Sequence, residues 1–203
     1  MARPGRVMLG ALIVAAVLLS SAVLHEAGHI LAGRAIGMRL DEVAVMPGIR
    51  LYPTVERVPW SGWVAHVAQS SDHPVSPLAK GFRSLMGSGT NTIISYIAMA
   101  LLWWRRPGGM RLFAMGVTVL VLAGDIVGYG VLPRLGLRHA IFVGGKTTEP
   151  RLAAMRMGLP GWAFDVLLAI HCAVVLRVLY LRCLRARPAS TQTGPVEPSR
   201  ASE

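Results

Sequence analysis

The chain has 203 residues, of which 53% are hydrophobic and only 15% are charged, and its formal net charge is +11. Soluble domains carry about 25% charged residues, so this composition, with a mean hydropathy of +0.51, excludes an ordinary water-soluble globular protein. A nucleic-acid-binding protein is not indicated either. The lysines and arginines are spread over loops and the ends of apolar segments, without a long basic run or an array of stacking aromatic residues.

Four apolar segments are long enough to cross a membrane, namely residues 7–24, 84–104, 112–132 and 161–181. Each is close to the ~20 residues with which a helix spans a ~30 Å hydrocarbon layer. A backbone in lipid has to satisfy its hydrogen bonds internally, so we expect an all-α polytopic membrane protein with about four transmembrane helices. The first segment is interpreted as a retained span, because it is longer than the apolar region of a signal peptide and continues into a polar motif.

A short β-hairpin-like segment is predicted after the first helix, which we expect to stop at Gly37. Residues 41–46 and 49–52 have the composition of short strands, and Pro47 and Gly48 between them are typical of a turn. Pro53, just beyond, argues against a long regular strand there. Trp60 and Trp63 favour either contact of this loop with the bilayer surface or a plain surface loop.

The sequence divides into four parts. They are an N-terminal tail (1–6), a three-helix core with a loop (7–132, loop 38–83), a second loop with the fourth transmembrane helix (133–184) and a disordered tail (185–203). The tail at 185–203 is rich in Pro, Ser and Thr, which is typical of disorder. A short helix is predicted near residues 149–157, in the second loop.

The first span carries an HExxH motif, His25-Glu26-Ala27-Gly28-His29. Positions i and i+4 lie on one face of a helix, so both imidazoles can bind one metal ion. Glu26 then lies beside the metal, where it can take a proton from water and later pass it to a leaving amine. Zinc suits imidazole ligands and a hydrolysis without redox chemistry. Three polar residues satisfied by their neighbours are the structural alternative, but ionisable groups inside a membrane are costly and usually functional.

Two histidines leave a zinc site one protein ligand short, and Asp125 is the only acid deep inside another predicted span. At ~1.5 Å per residue, His29 lies about 12 Å from the end of its helix, and Asp125 about 12 Å from the exit at Pro133. Because the first and third helices run in the same direction, these residues fall in the same leaflet. Asn91, on the second helix, lies about 10 Å deep on that side. Asp125 is therefore predicted as the third ligand, with interhelical hydrogen bonding as the alternative.

Four further residues are weaker candidates. Asn91 is predicted to polarise the scissile carbonyl or to brace a substrate strand, and helix packing is an equally open interpretation. Tyr129, one turn after Asp125, is a candidate for orienting that carboxylate. If Asp125 is not a ligand, the loop residues His66 and Glu149 are the next candidates.

With these motifs the chain resembles the site-2 protease family of intramembrane zinc metalloproteases. The resemblance covers residues 7–132 and implies a three-helix catalytic core that bears HExxH, a Gly-x-x-x-Asn motif and an Asp ligand in turn. Residues 25–29 and 87–91 match the first two motifs. The third matches only in Asp125, since the usual neighbouring Asn-Pro and Gly are missing. The fourth helix lies outside the resemblance, and the hairpin-like loop is similar to the β-hairpin with which the family holds an extended substrate.

The resemblance implies a membrane-embedded zinc metalloendopeptidase that hydrolyses a peptide bond in or near a transmembrane segment. Zn²⁺ would be held by His25, His29 and Asp125, with Glu26 as the base and Asn91 positioning the substrate. The expected partners are a transmembrane protein or peptide substrate and the lipid bilayer, and the expected location is a membrane, the cell membrane if the protein is bacterial.

Two other classes of function remain open. One alternative is a non-catalytic pseudoprotease that binds transmembrane clients, for which the incomplete third motif is the only support. An ion or proton transporter would usually show paired repeats and broken helices, of which the sequence gives little sign. The basic residues are nearly balanced between the two sides, so the positive-inside rule does not decide the orientation.

Overall fold

The computed structural model describes residues 4–60, 62, 64–139 and 144–185. The interface prediction for Trp63, and the predicted disordered tail beyond Arg185, lie outside these residues.

Most of the described chain is helical, and the prediction of about four membrane-spanning helices is confirmed. Four segments are long and apolar enough to cross a membrane: Pro4–Ala35, Pro77–Arg105, Gly109–Leu135 and Gly161–Leu184. The five α-helices are α1 (Pro4–Ala35), α2 (Pro77–Arg105), α3 (Gly109–Val131), α4 (Glu149–Arg156) and α5 (Gly161–Leu179). A 3₁₀ turn (Leu132–Leu135) continues α3, and a π-helical turn (Tyr180–Leu184) continues α5.

The helix ends follow from local chemistry. Gly37 has a φ of +82°, a conformation that costs a glycine little, and Met38 N–H returns to Gly33 O over 2.9 Å. This stops α1 where the sequence predicts. At the start of α2 the Ser76 hydroxyl accepts a hydrogen bond from Ala79 N–H at 3.2 Å, which satisfies one of the free donors of the first turn.

A four-stranded antiparallel sheet follows α1, with the strand order β3-β2-β1-β4. Its strands are β1 (Arg39–Val45), β2 (Ile49–Tyr52), β3 (Glu56–Arg57) and β4 (Ala65–Ser70). The predicted hairpin is β1–β2, with its turn at Pro47-Gly48. The sequence did not predict β4, which pairs along β1 on the side opposite β2.

Glycines let α2 approach two neighbours closely. A side chain at Gly28 of α1 would overlap the Met86 carbonyl of α2, and one at Gly81 of α2 would lie 2.7 Å from the Ala153 carbonyl of α4. Small residues serve this purpose in membrane bundles, where packing replaces the hydrophobic effect between helices. The helix α2 thus lies between the helix that bears HExxH and the short helix that follows the third span.

The fourth span is tied to the core by a buried histidine. His171 of α5 bonds to Ala123 O of α3 through Nε2 at 3.1 Å, so that nitrogen carries the proton. The other ring nitrogen then accepts from the Tyr96 hydroxyl of α2 at 3.0 Å. These two hydrogen bonds therefore join three spans, and the one to Ala123 lies two residues from Asp125 in α3.

Candidate metal centre

The two histidines of the HExxH motif converge as the spacing predicts. His25 and His29 lie one turn apart on α1, are 3% and 7% exposed, and have their Nε2 atoms 3.2 Å apart. This separation needs explaining, because both rings are already bonded through their other nitrogens.

Those outer bonds fix which nitrogen carries each proton. His29 Nδ1 lies 2.9 Å from the backbone carbonyl of Arg83, and a carbonyl can only accept, so Nδ1 is the donor. His25 Nδ1 lies 3.0 Å from Asp125 Oδ2, and a carboxylate accepts in the same way. A neutral imidazole has one N–H, so both Nε2 atoms present lone pairs to each other. Two such lone pairs at hydrogen-bond distance favour a shared cation between them.

A zinc ion fits this arrangement. Zn–N bonds of about 2.0–2.1 Å at a tetrahedral angle put two ligand nitrogens about 3.3 Å apart, close to the 3.2 Å found here. Gly87 of α2 faces the same place, and a side chain there would overlap both Nε2 atoms. The first residue of the Gly-x-x-x-Asn segment therefore leaves the room that an ion needs.

A carboxylate from outside the predicted three-helix core completes the group. Glu149 Oε1, at the start of α4, lies 3.9 Å from His29 Nε2. The ligand atoms of His25, His29 and Glu149 all lie within 4.8 Å of one another, so these three can hold a metal ion. Sequence reasoning reached Glu149 only as a fallback, because no spacing rule connects it with residues 25–29.

Asp125 contacts the HExxH motif, but at the Nδ1 side of the His25 ring and not at the Nε2 side. Its carboxylate bonds to His25 Nδ1, whereas the two histidines converge through Nε2. The Asp125 side chain is 9% exposed and contacts His25, which lies one helical turn farther from the end of α1 than His29 does. The meeting of α1 and α3 at this depth agrees with the helix geometry, while direct ligation by Asp125 stays a prediction.

Asn91 braces the helices beside the site. Its side chain is fully buried, and Nδ2 donates to the Ser21 carbonyl at 3.0 Å and lies 3.1 Å from the Ser21 hydroxyl. Ser21 lies one turn before His25. These contacts are those of the helix-packing interpretation, and positioning of a substrate by Asn91 stays a prediction.

Aromatic rings cover one side of the centre. Tyr129 stacks on His25 with ring centroids 4.4 Å apart, and the centroid of the His139 ring lies 4.0 Å from that of Tyr129. His139 Nε2 donates to the Thr147 carbonyl at 2.6 Å, and burial lowers the pKa of this imidazole below 6.5. Tyr129, predicted to orient Asp125, thus contacts the histidine to which Asp125 is bonded.

An open cavity of about 730 Å³ gives access to the centre. Its lining combines the HExxH residues with the start of β4, part of α3 and Glu149; it includes His25, Glu26, His29, Val64, Ala65, Val67, Asp125 and Tyr129. A chain that enters this cavity can therefore contact Glu26, both histidines and the start of β4.

The side chain of Gln69 joins the strand β4 to two helices. Gln69 Nε2 donates to Ile30 O of α1 at 3.2 Å, and Gln69 Oε1 accepts from Arg83 Nε of α2 at 2.6 Å. Arg83 is the residue whose carbonyl holds His29. The sheet and the metal centre therefore share a support.

Comparison of the whole chain with models of protein families shows what kind of protein this is. The family model described as Peptidase family M50 matches residues 13–193 of the 203-residue chain. The chain belongs to peptidase family M50. Members of this family are membrane metalloproteases, which agrees with the four spans and with the His-His-Glu group. The match includes α4 and α5, so the expectation that the family resemblance ends at residue 132 is wrong. No curated protein and no solved structure gives a significant match.

Proposed function

We propose that this member of family M50 is an intramembrane zinc protease that hydrolyses a peptide bond in or near a transmembrane segment of a membrane protein. The observation that supports it most is the pair of Nε2 lone pairs 3.2 Å apart, next to Glu26 in an open cavity. The motif lies within a helix long and apolar enough to span a membrane. A substrate segment that reaches it comes from the membrane or from its edge.

The roles of the residues follow from their positions. His25 and His29 would hold the ion through Nε2, and an acidic side chain would supply the third protein ligand. A zinc ion bound there supplies Lewis acidity toward a peptide carbonyl and lowers the pKa of water. Glu26 takes the proton of the attacking water as the new C–O bond forms, and gives it to the amine nitrogen as the C–N bond breaks. Neither oxidant nor co-substrate other than water is required.

The strand β4 offers a way to hold the substrate. It is an end strand of the described sheet, and Val64, Ala65 and Val67 line the same cavity as the motif. A helical substrate hides its carbonyls in its own hydrogen bonds, so it has to unwind before it is cut. Addition of the unwound segment to β4 replaces those bonds with interstrand bonds and keeps the scissile carbonyl extended.

Replacing Glu26 by Gln tests the proposal. Glu26→Gln removes the base and keeps the size of the side chain, so we expect cleavage to fall by at least 10²-fold, within the usual range for loss of a general base. Zinc per chain, measured in detergent, stays at the wild-type value. Glu56→Gln, in the exposed strand β3, is the matched control and keeps full activity.

The substrate is found by the same pair of variants. Membrane proteomes of cells with Glu26→Gln and with Glu56→Gln are compared, and the substrate accumulates uncut only in the former. Activity of Glu26→Gln within a few fold of wild type would contradict the assigned base. A purified wild-type protein without stoichiometric zinc, together with no protein that accumulates in the Glu26→Gln cells, would favour the pseudoprotease that the incomplete third motif suggests.

A further inference from the structure

The two carboxylates near the HExxH motif contact different faces of the histidines. An imidazole is rigid and its two nitrogens point away from each other, so a group bonded to Nδ1 lies far from an ion on Nε2. Asp125 is bonded to Nδ1 of His25 at 3.0 Å. It stands where carboxylates that orient metal-binding histidines commonly stand, outside the ligand set.

Glu149 lies on the metal side. Its Oε1 is 3.9 Å from His29 Nε2, and it forms one group with both histidines. Its side chain is 32% exposed, so it can rotate toward an ion without rearrangement of the core. Carboxylate oxygens bind zinc at about 2.0–2.2 Å, and two histidines with one glutamate are a known catalytic ligand set.

The fold holds Glu149 in place. It begins α4, with Pro150 next to it, and Pro150 and Ala153 of this short helix are buried. Close contact between α4 and α2 depends on Gly81, where a side chain would lie 2.7 Å from the Ala153 carbonyl. The same helix α2 supplies the Arg83 carbonyl that orients His29. Glutamate and histidine are therefore positioned by one element.

We infer that Glu149 is the third protein ligand of the zinc ion, and that Asp125 is a positioning residue that orients His25. This rests on the proposed function only in that the site binds zinc. It gives the segment after the third span a direct part in the metal centre and assigns the acid of the third motif a supporting role.

Cysteine variants loaded with cobalt separate a ligand from a positioning residue. A thiolate bound to Co²⁺ gives an intense near-ultraviolet charge-transfer band, and a thiolate outside the coordination sphere gives none. We expect the band in Glu149→Cys and not in Asp125→Cys, with wild-type protein as the blank. A band in Asp125→Cys, or no band in Glu149→Cys, would overturn the assignment.

Isosteric amides give a second, independent measurement. An amide oxygen still accepts a hydrogen bond from His25 Nδ1 but is a poor zinc ligand, so Asp125→Asn should lower zinc affinity by at most about tenfold, the lower end for an outer-sphere partner. Glu149→Gln should lower it by more than about 100-fold, beyond that outer-sphere range. The opposite order, or equal losses, would refute the inference.

The outcomes also separate this inference from the proposed function. If the wild-type protein binds zinc and Glu26→Gln is inactive while Glu149→Gln keeps its zinc, only the assignment of Glu149 fails. If the wild-type protein binds no zinc, both fail. Thermal unfolding of Glu149→Gln and Asp125→Asn shows whether each variant is folded when its affinity is measured.

Discussion

Gly87 offers the sharpest test of the proposed metal centre, because a single methyl group there would occupy the place proposed for the ion. In Gly87→Ala the new Cβ would lie 2.6 Å from His25 Nε2 and would overlap His29 Nε2, whereas ordinary contact begins near 3.4 Å. Each ring therefore has to move by about an ångström, while a metal site requires its ligand distances to hold within about 0.2 Å. At least one of the two proposed zinc–nitrogen bonds would therefore be lost.

The expected loss of zinc affinity is at least about 100-fold, since disturbing an outer-sphere partner alone costs about 10- to 100-fold. This corresponds to about 3 kcal/mol or more at 1.4 kcal/mol per tenfold. The helix itself should not suffer, because alanine is about 1 kcal/mol better than glycine in a helix interior. Competition with a chelator in detergent measures the affinity, and thermal unfolding measures the fold.

Gly89→Ala is the matched control, on the same helix two residues away. Its Cβ would meet only Met86 Sδ, at 3.4 Å, which is ordinary contact. If Gly87→Ala bound zinc as tightly as Gly89→Ala, the position assigned to the ion, between the two Nε2 atoms and against Gly87, would be wrong.

Two further predictions concern residues around the centre. Gln69→Leu removes two hydrogen bonds between β4 and the helices. At about 1 kcal/mol each, their loss should raise KM about tenfold or more and leave zinc per chain unchanged, and a loss of zinc would show that β4 supports the metal instead. Asp165→Ala breaks partly exposed ion pairs with Arg134 and Arg151. Unfolding measurements should show a loss below about 1 kcal/mol for each pair with full zinc, and a fall in zinc content would place Asp165 among the ligands.

The spans and the hairpin were predictable because their causes are local. Length and hydropathy define a spanning helix, and Pro47-Gly48 between two strand-forming segments defines a turn. The strand β4 has no such pattern. Its six residues include His66, Gln69 and Ser70, and they become a strand by pairing with β1, whose partner residues lie between 20 (Val45↔Ala65) and 31 (Arg39↔Ser70) positions earlier in the chain. A partner at that distance leaves no periodicity in the segment itself.

The HExxH pair was predictable for the same reason, since i and i+4 on a helix share a face whatever surrounds them. Gly87 was recognised as part of a motif, but its purpose required the structure, in which the missing side chain is what matters. Asn91 shows the converse. Its depth agreed with a role at the site, yet its bonds go to Ser21, in the turn before His25. Depth alone does not tell which way a side chain points.

Depth along the helix also explains why the sequence predicted Asp125, and not Glu149, as the third ligand. Counting 1.5 Å per residue places a side chain along the membrane normal, and by this measure Asp125 was correctly brought to the HExxH helix. The count carries no information about rotation around the helix axis, and a histidine presents chemically different nitrogens on opposite sides. Glu149 starts a helix outside the core that the resemblance covers, so no count from a span could bring it to His29. Which carboxylate binds an ion therefore depends on the packing of α4 against α2, and that packing depends on Gly81, a residue that no metal motif contains.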